Sequence, residues 1–79
     1  MRIIFDNYYK KKFDKINNKE LKLKIIKQIL KLKENPELGK PMRYSRKGSR
    51  ELYISPFRLS YLYLEDKIKI LDLYHKDEQ

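Results

Sequence analysis

Arg58, His75 and Lys76 are the residues of this 79-residue chain whose types and positions best suit chemistry. Arg58 follows Phe57 just after a Ser55-Pro56 turn. On a strand its neighbours Phe57 and Leu59 point the opposite way, so Arg58 projects from an open face if they are core. A guanidinium there is a phosphate clamp, because its planar fork donates two parallel hydrogen bonds. An ordinary exposed strand arginine is the competing reading. His75 is the only histidine, and an imidazole titrates near neutral pH, as general acid–base work requires. Arg46-Lys47-Gly48-Ser49-Arg50 adds three cations in a short run, preceded by Lys40 and Arg43. Here the alternatives are substrate binding through phosphates and a solvated loop charge run. Tyr44, Tyr53, Tyr61, Tyr63 and Tyr74 are interleaved with them, and a tyrosine on an open face can stack on bases.

The chemistry these groups suit is metal-free work on a phosphodiester. No HxxxH, CxxC or Asp/Glu/His cluster points to a metal, and no P-loop, GxGxxG or nucleophile elbow points to another reaction or a cofactor. RNA suits such a site, since its own 2′-hydroxyl can attack the adjacent phosphorus. The protein then removes one proton, donates another to the leaving oxygen and stabilises the added negative charge.

These side chains must be positioned by few elements. Arg2 to Phe5 reads as a strand, and Asp6 or Asn7 caps a helix in which Tyr9, Phe13 and Ile16 share a face. Asn17-Asn18 breaks that helix and caps a second, Lys19 to Lys33. There Leu21, Ile25, Ile29 and Leu32 form a stripe widened by Ile26 and Leu30, with Leu23 off it. Asn35-Pro36 ends the second helix. Pro36 to Gly48 reads as loop. Leu52 and Ile54 then alternate with Glu51 and Tyr53, Ser55-Pro56 turns the chain, and Phe57 to Leu64 forms a strand. Glu65-Asp66 turns again before a last strand, Lys67 to Tyr74. Asp77-Glu78-Gln79 reads as a frayed end. The expected fold is α+β in the order β-α-α-β-β-β, with a helical hairpin packed on one face of a small, mainly antiparallel sheet. It is one domain over residues 1–79.

The net charge of +9, from 20 Lys and Arg against 11 Asp and Glu, draws in polyanions. A lysine-rich soluble surface explains the helix lysines as well; it explains the late arginines less well. The chain has no cysteine, no apolar run near the ~18 residues of a membrane span and no signal-peptide core. A cytoplasmic location follows as the expectation.

Several segments together resemble the RelE/ParE superfamily of toxins from toxin–antitoxin pairs. They are Leu32-Lys33-Glu34-Asn35-Pro36-Glu37-Leu38-Gly39-Lys40-Pro41, Ser49-Arg50-Glu51-Leu52, Phe57-Arg58 with Leu59 and Tyr61, and His75-Lys76-Asp77. The resemblance implies a ribosome-dependent endoribonuclease that cuts mRNA in the decoding site. It also implies a RelB-like antitoxin, a heterotetramer or larger complex with it, and no cofactor. Within it Arg58 matches the arginine on the scissile phosphate, and Lys76 the basic residue that stabilises the transition state. His75 sits where several members place a catalytic histidine, and Arg50 matches a basic position on the first hairpin strand. Lys40, Arg43, Arg46 and Lys47 are expected to grip RNA backbone. Ser49 and Glu51 flank Arg50 where some RelE enzymes carry two lysines, so Glu51 either acts as base or balances charge. The tyrosine that many members carry after the last basic site is missing, and Tyr74 is its candidate substitute. The same scaffold also serves ParE-like inhibitors of DNA gyrase, and a non-catalytic module that binds RNA or antitoxin is the third reading.

Overall fold

Each helix begins where a short polar side chain satisfies a free backbone N–H, as capping requires. The computed structural model describes residues 1–43 and 47–78. Strand β1 (Arg2–Phe5) leads into helix α1 (Asn7–Asp14), where Asp6 Oδ1 accepts from the Tyr8 amide at 2.9 Å. Helix α2 (Lys19–Glu34) begins at Asn18, whose Oδ1 accepts from the Leu21 amide at 3.1 Å. Five strands form one sheet in the order β1-β5-β4-β3-β2, with β2 at Lys40–Pro41, β3 at Ser49–Ile54, β4 at Phe57–Leu64 and β5 at Lys67–His75. A 3-10 turn, Lys76–Glu78, comes after β5. The observed order is β-α-α-β-β-β-β, with β1 parallel to β5 and the other pairs antiparallel. The α+β reading therefore stands.

Three boundaries differ from expectation. The segment read as loop contains β2, which pairs Lys40 with Glu51 and Pro41 with Arg50. Two residues give no periodic signal, which is why pattern reading passes over them. Helix α1 stops at Asp14, leaving Ile16 to pack on the core from the connection. His75 is the last residue of β5 rather than the first beyond it.

The core lies between the helices and one sheet face. It joins Tyr9, Ile25, Ile29 and Leu32 to Ile54, Leu59, Tyr61, Ile68, Ile70 and Leu73. In β5 the buried positions fall at 68, 70 and 73, not at every second residue. The register explains this: Ser60 pairs with Asp72 while Tyr61 pairs with Ile70, so Leu71 is an extra residue in β5. A bulge of this kind inverts which face later side chains occupy.

Tyr61 also joins the core to the segment after α2. Its hydroxyl donates to the Pro36 carbonyl and accepts from the Gly39 amide, each at 2.8 Å. Gly39 allows this approach, because a Cβ there would lie 2.8 Å from both the Tyr61 hydroxyl and the Glu51 carbonyl oxygen.

The core can be tested at its two buried phenols. Tyr61→Phe leaves the Gly39 donor and the Pro36 acceptor without their partner, and denaturant unfolding should show a loss of about 1–3 kcal/mol. Burial raises Tyr61 and pushes Tyr9 up to about 12 from its ordinary 10.0. The folded state thus resists ionisation that the unfolded chain undergoes near pH 10. Stability is retained below that pH and lost as pH rises toward 12. Unfolding measured across this range should show that loss, and Tyr9→Phe should make it shallower.

Candidate functional site

Alternation on β3 and β4 gives the open face its chemistry. Directly paired residues share a face, and Arg58 pairs with Tyr53 on one side and Tyr74 on the other. Glu51, two residues from Tyr53, projects the same way. Arg58 Nη1 donates to Glu51 Oε1 at 2.5 Å, and the Tyr74 hydroxyl donates to Glu51 Oε2. One carboxylate therefore joins a cation and a phenol. The Glu51 side chain is 17% exposed and that of Arg58 32%, so the pair is only partly screened by water. Among the described residues the buried Arg58 Nε has no hydrogen-bond partner. A buried donor left unpaired is uncommon, and here it belongs to the group expected to meet phosphate.

Two further cations border this pair. The Arg58 guanidinium lies 5.7 Å from the Tyr53 ring centroid, and Lys76 Nζ lies 5.9 Å from the same centroid. Tyr53 is 53% exposed. Lys40, paired with Glu51 across β2 and β3, lines a cleft of about 390 Å³ with Gly39, Glu51, Tyr53 and Arg58. The arrangement can hold an anion between Arg58, Lys40 and Lys76, offer it a carboxylate base, and present a flat ring to a nucleobase.

The other expected site residues lie elsewhere. Arg50 shares the helix-side face with Leu52 and Ile54. Its Nη1 donates to the Gly39 carbonyl at 2.7 Å and the Glu37 carbonyl at 3.1 Å, and its Nη2 lies 3.4 Å from Glu37 Oε2. It fastens the segment after α2 rather than joining Arg58. His75 pairs with Phe57 and makes an edge contact with that ring at 5.9 Å, also on the helix side. The extra residue at Leu71 puts Tyr74, not His75, beside Arg58. Arg43 and Lys47 are exposed on the turns between β2 and β3. Arg46 and Tyr44 lie outside the described residues.

The sequence leaves Glu51 undecided and offers Tyr74 both as a stacking ring and as the substitute for the missing terminal tyrosine. The alternation of Glu51 and Tyr53 against Leu52 and Ile54 is the signal that places Glu51. Nothing in the sequence announces the bulge that brings in Tyr74. Among the described residues no group of three His, Cys, Asp or Glu side chains is placed to hold a metal ion. No helix among them is long and apolar enough to cross a membrane.

The fold is that of solved toxins. The YoeB dimer from Staphylococcus aureus superposes with a TM-score of 0.80 at 23% identity, covering 95% of this chain and 97% of that one. The toxin–antitoxin complex RelBE from E. coli gives 0.79 at 19%, covering 99% and 98%. The YoeB-YefM complex from Staphylococcus aureus gives 0.73 at 26%, covering 95% and 97%. No curated protein sequence matches the chain. Residues 3–79 match the family model described as the ParE toxin of type II toxin-antitoxin system, parDE. The chain belongs to that family, within the RelE/ParE superfamily of type II toxins.

Proposed function

We propose that this toxin is a ribosome-dependent endoribonuclease that cuts mRNA through its own 2′-hydroxyl. The observation that carries this reading is the contact of Glu51 with both Arg58 and Tyr74 on a cationic open face. The scissile phosphate lies against the part-exposed Arg58 guanidinium and the neighbouring ammonium groups of Lys40 and Lys76. Glu51 removes the 2′-hydroxyl proton as the 2′ oxygen bonds to phosphorus. The P–O5′ bond breaks, Tyr74 gives its phenolic proton to O5′, and protonated Glu51 returns a proton to Tyr74. The products are a 2′,3′-cyclic phosphate and a 5′-hydroxyl. The cations hold the extra negative charge in a partly water-excluded cleft, where fixed charges act most strongly. Tyr53 stacks on a base. His75 contributes outside this proton path, and Arg50 contributes by holding the cleft wall at Gly39.

The match to a ParE family favours a second reading, inhibition of DNA gyrase. Primer extension on a defined mRNA, with and without programmed ribosomes, separates the two. The nuclease reading expects cuts only with ribosomes. Absence of cuts together with loss of gyrase supercoiling supports the second.

The partner is an antitoxin, as RelBE and YoeB-YefM are toxin–antitoxin complexes. An amphipathic antitoxin helix fits a groove of about 570 Å³ between β1, α1 and α2, whose walls include Phe5, Phe13, Ile26 and Leu30. Lys10 and Lys33 also line it, and the charge of +9 complements an acidic helix.

Arg58→Ala should lower the rate of ribosome-dependent cleavage by about 10²–10³-fold. Glu51→Gln should lower it by about 10²–10⁴-fold, as loss of a general base does. Both are read by single-turnover cleavage on programmed ribosomes. Ile26→Glu with Leu30→Glu should weaken antitoxin binding by about tenfold or more, equivalent to about 1.4 kcal/mol. Calorimetry measures this, and circular dichroism should show an unchanged fold because both residues are exposed.

A further inference from the structure

Phe57 precedes Arg58 on β4, and His75 comes directly after Tyr74 on β5. The side chains of each pair therefore leave the same end of the sheet toward opposite faces. On the helix side that end opens into a second cleft, of about 520 Å³, lined by Lys12, Lys15, Asn17, Asn18, Phe57 and His75 among others. The active face uses none of these six.

The contents of this cleft suit a nucleotide. Phe57 and His75 give it aromatic walls, with ring centroids 5.9 Å apart and planes at 75°. The Asp77 amide donates to His75 Nδ1 at 3.3 Å. A neutral imidazole that accepts at Nδ1 carries its proton on Nε2, which leaves that N–H as a donor. Asn18 uses its side-chain oxygen on the Leu21 amide, which leaves the carboxamide NH₂ for another acceptor. Asn17 is exposed. Lys12 is held by Asp72 at 2.9 Å, whereas Lys15 makes no ion pair among the described residues. Asp77 Oδ2 lies 3.7 Å from His75 Nδ1.

The rim between the two faces is also basic. The Lys76 amide donates to the Pro56 carbonyl at 3.1 Å, which fastens Lys76 to the β3–β4 turn. Lys24 Nζ lies 3.4 Å from the Ser55 carbonyl oxygen. A polynucleotide passing over this turn would meet a cation on either side of it.

We propose that this cleft binds a nucleotide of single-stranded RNA flanking the one held at Arg58. Its base stacks on Phe57 and accepts from His75 Nε2 and the Asn17 and Asn18 carboxamides. Its phosphate lies at Lys15. The choice of RNA rests on the endoribonuclease reading; the second cleft goes beyond it.

The test is an amide NMR titration of the chain with a 2′-O-methyl RNA hexanucleotide, which binds but lacks the attacking hydroxyl. The amides of Ile16, Asn17, Asn18 and His75 should shift together with those of Tyr53 and Arg58. His75→Ala and Asn17→Ala should each weaken binding by about fivefold or more, as loss of a hydrogen-bond donor does. The dependence of log Kd on log salt should keep its slope, since neither change removes a phosphate-binding cation. A loss of binding with an altered fold would show in the dispersion of the free spectrum, and Asn17→Ser then supplies the second, milder variant. Shifts confined to the open face, or variants that bind as the unmodified chain does, overturn the cleft and leave the nuclease reading intact. No shift anywhere also overturns the cleft, while the ribosome-dependent nuclease reading stands or falls separately on primer extension with programmed ribosomes.

Discussion

One extra residue in β5 decides which side chains meet Arg58. Up to Ile70 the buried positions of that strand are even-numbered, whereas the next buried residue, Leu73, is odd-numbered. The bulge at Leu71 makes the change, since one added residue inverts the facing of every later side chain in the strand. It brings Tyr74 to Glu51 and sends His75 to the helix side. Without it the core pairing of Tyr61 with Ile70 and the site pairing of Arg58 with Tyr74 would be out of phase. The composition of the site is thus a consequence of sheet register, and the same register separates the two clefts at one end of the molecule.

A second constraint keeps the cleft shaped. Tyr61 and Arg50, both on the helix side, hold the segment from Pro36 to Gly39 by its backbone. That segment leads directly into β2, which carries Lys40 onto the open face opposite Glu51. Buried bonds on one face therefore place a cation on the other. This gives Arg50 a purpose suited to its position on the first hairpin strand without bringing it to Arg58.

Much of this is legible in the sequence because the signals are periodic. The stripe of Leu21, Ile25, Ile29 and Leu32 marks α2, and the alternation of Leu52 and Ile54 against Glu51 and Tyr53 marks β3. Polar pairs at Asp6-Asn7 and Asn17-Asn18 mark where the helices begin. The same alternation places Arg58 on the open face. The parts that escape are those that depend on pairing. Strand β2 is too short to have a period. The bulge has no glycine or proline to announce it, so β5 reads as unbroken and its facing beyond Ile70 is lost. Arg50 draws attention by its charge, although its parity with Leu52 already places it on the helix side.

At the centre of the proposed function stands a reaction in which RNA supplies its own nucleophile to a face that supplies Glu51, Arg58 and Tyr74. The most direct test is a programmed ribosome carrying an mRNA with a single 2′-deoxynucleotide at the mapped cut, with the ends of the fragments from the all-ribose message identified by mass spectrometry. The expected result is no cut at the deoxy position, and a 2′,3′-cyclic phosphate with a 5′-hydroxyl at the ribose one. Cleavage at the deoxy position, or fragments ending in a 3′-hydroxyl and a 5′-phosphate, would contradict this chemistry.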